Sequence, residues 1–88
     1  MTNKHLTPSQ EFCLRRLGEE HFLTKRELSA MAKNAQVTKR TIWWDWAAGP
    51  LRELWLMGLV DAMDDIPGTN RKKFFLTDLG KIKLKEMS

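Results

Sequence analysis

The chain has 88 residues, with 15 Lys and Arg against 11 Asp and Glu and a formal net charge of +4. A chain of this length divided into two domains would leave neither with an adequate core, and its 42% apolar and 30% charged residues exclude the composition of a disordered protein. We therefore expect one domain over residues 1–88, and the positive charge favours an anionic partner without establishing one.

The cysteine content and the N-terminus bear on the compartment. Cys13 is the single cysteine, so no intrachain disulfide can form, which is typical of a reducing compartment. Residues 1–6 are polar and lack the apolar segment of a secretory signal. The longest apolar run, residues 54–60, is far shorter than the ~18 residues of a membrane span. We expect a cytoplasmic protein without a membrane partner.

Two capping boxes predict the first two helices. Thr7 followed by Pro8 and Gln10 is typical of a helix start, and Gly18 predicts its end. Residues 21–23 are too few for more than a strand fragment. Thr24 opens a second box with Glu27, and the helix that follows is expected to end at residue 34.

The segment from Thr38 to Gly58 has two interpretations. Thr38 is a good N-cap, but Pro50 inside the segment would cost an unbroken helix roughly 3 kcal/mol. Either one helix kinks there, or it ends near Ala48 and a second starts with Pro50 in its first turn. Residues 59–64 and 71–76 then predict a hairpin around a turn-rich loop, and Thr77 or Asp78 begins a last helix.

At its C-terminal half the chain resembles the winged-helix superfamily, particularly MarR-like bacterial regulators. Their third helix commonly ends in a pattern matched here by Leu51, Leu54 and the Gly-Leu-Val of residues 58–60. Their wing commonly returns in a pattern matched by Phe74, by Leu-Thr at 76–77, and by a glycine at residue 80. The resemblance covers residues 7–88 and implies a mainly helical fold: three core helices, a wing hairpin and a C-terminal helix.

A DNA-binding winged helix places its third helix in the major groove and its wing on the backbone or minor groove. If the segment up to Ala48 is the recognition helix, which we favour, Lys39, Arg40 and Thr41 lie at its N-terminus. If Pro50 starts that helix, Arg52 is the expected contact. The candidate DNA contacts are Lys25, Arg26, Thr38, Lys39, Arg40, Thr41, Arg52, Asn70, Arg71, Lys72 and Lys73. The carboxylates of Asp64 and Asp65 would repel DNA phosphates and weaken DNA binding by the wing, unless they lie at the hairpin base, away from its tip.

Three Trp residues within four positions cannot all be buried by one helix against a small core. We expect Trp43 and Trp46 to be core residues and Trp44 or Trp55 to be exposed. An exposed Trp usually marks an interface, so Trp44 and Trp55 predict a homodimer or a protein partner, and base stacking by Trp44 is a less favoured use.

Enzymatic functions find little support. The two histidines, His5 and His21, have no metal-ligand spacing with Cys13, and the sequence has neither a phosphate-binding glycine loop nor a nucleophilic triad. We expect no cofactor and no metal, and Cys13 is expected to be a small buried residue.

Two functions remain open at this point. The favoured one is a small regulator from a bacterium or phage that binds double-stranded DNA as a dimer. The alternative is a winged-helix protein-interaction module that docks a partner through exposed Trp side chains and does not bind DNA.

Overall fold

The structure is a computed structural model that describes residues 6–87. Its elements, in chain order, are α1 (Pro8–Glu20), β1 (Leu23–Thr24), α2 (Lys25–Ala35), α3 (Ala48–Leu56), β2 (Val60–Asp64), β3 (Lys72–Leu76) and α4 (Asp78–Met87). This order confirms the predicted fold class. The polar N-terminus, expected to carry no secretory signal, lies outside the described residues except for Leu6.

The first two helices begin at their predicted capping boxes. The Thr7 amide donates to Gln10 Oε1 at 3.1 Å, and the Gln10 amide donates back to Thr7 Oγ1 at 3.2 Å. Thr24 and Glu27 make the same reciprocal pair at 2.8 and 3.1 Å. Each box satisfies backbone donors that the first helical turn leaves without partners, which fixes where the helix starts.

Helix α1 does not end at Gly18 as predicted but continues to Glu20. A Cβ atom at Gly18 would collide with the Leu84 side chain of α4. The glycine therefore allows two helices to approach closely and does not terminate the first. The chain turns at His21, whose positive φ of 73° takes it out of the helix.

The predicted helix from Thr38 is wrong. Helix α2 is capped by Gln36, in the left-handed conformation with φ of 52°, and residues 38–47 run through bends and a turn. This stretch is rich in β-branched and aromatic residues, which lose side-chain freedom in a helix. The irregular path buries Ile42 and Ala47 while Trp43 faces solvent, a division that one helical face would not allow.

Helix α3 starts instead with Gly49 and Pro50 in its first turn, as the alternative interpretation has it. An amide at Pro50 would have no intrahelical partner this near the start, so the proline costs little there. Gly49 has no Cβ to meet the proline ring, which relieves the usual restriction on the preceding residue. The helix is nine residues long.

The three strands form an antiparallel sheet in the order β1-β3-β2. Gly58, with φ of 79°, turns the chain from α3 into β2, as the sequence predicts. Thr77 then ties the end of β3 to this turn: its hydroxyl donates to the Gly58 carbonyl at 2.6 Å and accepts from the Gly80 amide at 3.1 Å. The core against this sheet comprises Cys13, Leu14, Leu17, Leu23, Leu28, Ala47, Leu51, Leu54, Leu59, Val60 and Leu76.

The four tryptophans divide differently from the prediction. Trp46 packs against the core and meets Phe12 edge to face, with ring centroids 6.4 Å apart. Trp43, expected in the core, is 68% exposed, so that prediction is wrong. Trp44 and Trp55 are 59% and 52% exposed, which confirms their expected exposure.

Candidate nucleic-acid interface

A groove of about 310 Å³ lies between the first turn of α2 and the hairpin formed by β2 and β3. The hairpin, with its connecting residues 65–71, is the wing of this fold. Six side chains of this groove belong to candidate sites predicted from the sequence. They are Lys25, Arg26, Trp44, Asn70, Arg71 and Lys72.

Two cations of α2 converge on one indole. Lys25 Nζ lies 5.0 Å from the centroid of the Trp44 ring, and Arg26 Cζ lies 5.6 Å from it. Both distances are within the reach of a cation–π interaction. Within residues 6–87, no carboxylate forms an ion pair with Lys25 or Arg26. Their positive charges are therefore uncompensated in the groove.

The turn that carries Trp44 is fixed to α2 by a buried hydrogen bond. Ser29 Oγ accepts from the Ala47 amide at 2.9 Å and donates to the Lys25 carbonyl at 2.9 Å. On the N-terminal side of Trp44 in the sequence, Ile42 is only 8% exposed. Because both flanks are anchored in the protein, the loop presents the indole to α2 in a defined place.

The wing carries cations that are balanced at its base. Arg71 Nε pairs with Asp65 Oδ2 at 3.0 Å, and Lys72 Nζ bonds to Asp64 Oδ1. Asp64 is the last residue of β2, and the Asp65 amide donates to the Arg71 carbonyl at 2.9 Å. The two acids therefore lie at the base of the loop, which is the position that the DNA-binding hypothesis requires. Because these cations are paired with acids, the wing has little net charge and presents mainly polar groups to a ligand.

Lys73 points to a different neighbour from the other wing residues. Its Nζ lies 5.1 Å from the centroid of the Phe22 ring, which in turn contacts Phe75 at 5.9 Å between centroids. Lys73 does not line the groove.

The remaining candidate contacts lie outside the groove. Lys39, Arg40 and Thr41 are exposed, but they occupy the irregular loop and not the N-terminus of a helix, which corrects the favoured interpretation. Thr38 Oγ1 accepts from the Arg40 amide at 3.3 Å, a local turn in place of a helix cap. Arg52 is exposed on α3.

The contact between Trp44 and the two cations is the feature that sequence reasoning missed. The basic pair at the start of α2 and the unusual Trp cluster are both evident in the sequence. However, no periodicity relates a residue in an irregular loop to a helix eighteen positions earlier. The sequence therefore assigned Trp44 to a separate interface.

Other chemistry finds no site in the described part of the chain. Burial raises the pKa of the Cys13 thiol to about 12, so the thiol stays protonated and unreactive near neutrality. Residues 6–87 contain no group of three or more His, Cys, Asp or Glu side chains placed to hold a metal ion. No helix in the same range is long and apolar enough to cross a membrane.

No family model matches the sequence, and no curated protein is similar to it. Solved structures do share the fold. A probable transcriptional regulator from Pseudomonas aeruginosa superimposes with a TM-score of 0.75 at 23% identity, over 92% of this chain and 55% of that one.

Two further solved structures are similar over most of this chain. The adhesin competence repressor AdcR from Streptococcus pyogenes has a TM-score of 0.71 at 25% identity, over 96% of this chain and 56% of its own. A MepR variant from a multidrug-resistant S. aureus isolate has a TM-score of 0.72 at 26% identity, over 94% and 56%.

The present chain thus spans a little over half the length of each of these proteins. Over that span the helices, the three-stranded sheet and the hairpin correspond. The protein has the winged helix-turn-helix fold in its MarR-like form.

Proposed function

We propose that this protein is a DNA-binding transcriptional regulator and not an enzyme. The observation that carries the proposal is the groove in which Lys25 and Arg26, with no carboxylate partner in the described structure, face the wing. Uncompensated cations on one side of a groove attract the phosphate backbone of a duplex. The likeness to the repressor AdcR, over 96% of this chain, supports the same function.

Helix α3 is the proposed recognition element. An α-helix with its side chains is about 10–12 Å across, which fits a major groove about 12 Å wide. Arg52 is the one basic residue of α3 and is exposed, so it is the residue we assign to base readout, as a bidentate donor to a guanine edge.

The residues around α3 are assigned to the DNA backbone. The loop before α3 supplies phosphate contacts from four neighbouring residues, Thr38, Lys39, Arg40 and Thr41. In the wing, Asn70 offers a neutral donor, and Arg71 and Lys72 act with their charges paired to carboxylates. Lys73 keeps its charge, with the Phe22 ring as a neutral neighbour, but it lies outside the groove.

A single copy with a nearly neutral wing would bind DNA only modestly, so we propose that two copies bind one site in the cytoplasm of a bacterium or in a phage-infected cell. The half-exposed Trp55 lies three positions after Arg52, on the side of α3 proposed to face DNA, so no residue of α3 is assigned to the contact between the two copies. Sedimentation of the protein with a duplex selected for tight binding is expected to give two chains per duplex. A complex of one chain per duplex would contradict the dimer.

The proposed function is tested by fluorescence anisotropy with a labelled duplex at 50 and 200 mM salt. If about four phosphates are contacted, the association constant should fall by roughly a hundredfold between the two concentrations. No measurable binding at 50 mM salt would overturn the proposal, and would favour the protein-interaction module with its exposed Trp side chains.

A further inference from the structure

We propose that Trp44 is a positioning residue for DNA binding, which holds Lys25 and Arg26 as a paired cation site for one backbone phosphate. This inference rests on the proposed function and assigns a specific role within it. It differs from a partner interface or a base-stacking platform, the two uses that an exposed Trp first suggests.

The Trp44 ring allows the positive charges of Lys25 and Arg26 to lie close together. Lys25 and Arg26 are adjacent in sequence, and both approach the Trp44 ring, at 5.0 and 5.6 Å from its centroid. Two cations on flexible side chains repel each other and lose conformational freedom when they are held together. The negative face of the indole offsets part of that repulsion. Both charges are therefore held at the groove before any phosphate arrives.

Trp44 can do this because its own position is fixed by the protein. The Ser29 hydroxyl accepts from the Ala47 amide at 2.9 Å in the interior, and Ile42, two residues before Trp44 in the sequence, is buried. An indole on a loop that is anchored at both flanks keeps its ring against α2. A phosphate then meets cations that are already placed, which lowers the entropic cost of binding.

The opposite wall of the groove explains why the α2 pair is the phosphate site. Arg71 and Lys72 of the wing are already paired with Asp65 and Asp64. Lys25 and Arg26 have only the indole, a neutral partner that does not cancel their charge. Base stacking on Trp44 would have to displace these cations from the ring, so it is the less favourable use of this side chain.

The test compares Trp44→Ala with Trp44→Phe and with Trp43→Ala in the full chain. Trp43 is the matched control, because it is the adjacent exposed tryptophan and no cation lies over its ring among the described residues. Trp44→Ala should weaken binding to a labelled duplex about three- to tenfold and lower the slope of log K against log salt. Trp44→Phe should retain most of the affinity, and Trp43→Ala should bind like the wild type.

A double-mutant cycle separates positioning from direct contact. In a Lys25→Ala/Arg26→Ala background, Trp44→Ala should have no further effect on DNA affinity, because there are no cations left to position. The same loss in both backgrounds would overturn the inference and show that Trp44 contacts DNA or a base by itself. An equal loss for Trp43→Ala would also overturn it.

A measurement without DNA keeps this inference distinct from the proposed function. In NMR spectra of the free protein, side-chain protons of Lys25 and Arg26 should show upfield ring-current shifts that disappear in Trp44→Ala. Absence of these shifts in the wild type would refute the cation–π contact itself. If the shifts are present but the wild type binds no duplex, the proposed function fails and the phosphate role of the pair fails with it.

Discussion

Replacing Gly80 by Ala is expected to lower the free energy of unfolding by about 2–3 kcal/mol, measured by urea denaturation. Gly80 is buried in the first turn of α4, and a Cβ there would collide with the Leu59 backbone carbonyl. That carbonyl cannot move away easily, because it accepts the Thr77 amide at 3.1 Å. The added methyl must therefore displace α4 from the end of the sheet.

Gly18→Ala is the matched control for this substitution. Its Cβ would also meet an occupied position, but the neighbour is the end of the Leu84 side chain, which can change rotamer. The helix interior also gains up to about 1 kcal/mol from the exchange of Gly for Ala. Gly18→Ala should consequently cost clearly less than Gly80→Ala. A reversed order, or a wild-type stability for Gly80→Ala, would show that the contact between α4 and Leu59 is not rigid.

The double substitution Lys25→Ala/Arg26→Ala is expected to weaken duplex binding roughly tenfold to a hundredfold near 0.1 M salt. The slope of log K against log salt should also fall in magnitude, by about 0.9 for each phosphate that the variant no longer neutralises. Neither side chain has a carboxylate partner in residues 6–87, so the loss of stability should be limited to the two contacts with the Trp44 ring, about 0.5–1 kcal/mol each.

Lys81→Ala/Lys85→Ala provides the control for net charge. It removes two exposed cations from α4, neither of which lines the groove. If the groove is the DNA site, this control should weaken binding much less than the α2 double substitution. Equal losses would mean that the effect comes from the overall charge of +4 and not from a located site.

Most of the fold could be predicted because its signals are local. The boxes at Thr7 and Thr24 fix two helix starts through bonds between residues three apart. Gly58 and Thr77 fix the two ends of the hairpin by the same kind of short-range chemistry. The structural role of each of these residues depends on its near neighbours in the sequence, so a local pattern is enough to predict it.

The third helix and the site could not be predicted to the same extent. An N-cap residue at position 38 and a Pro50 were both compatible with a helix start, and the choice depended on which side chains the core could accept. The core accepts Ile42 and Ala47 and leaves Trp43 outside, a result of packing that no local pattern contains. The meeting of Trp44 with α2 follows from that same loop path, so it was hidden as well.

The proposed DNA site, which combines the groove between α2 and the wing with Arg52 of α3, can be tested residue by residue. A ¹⁵N-labelled sample is titrated with a duplex while the amide and side-chain signals are followed by NMR. We expect the largest changes at Lys25, Arg26, Trp44, Arg52 and Asn70. Changes concentrated instead on the exposed Leu79 and Ile82 of α4, with α2 unaffected, would contradict this location.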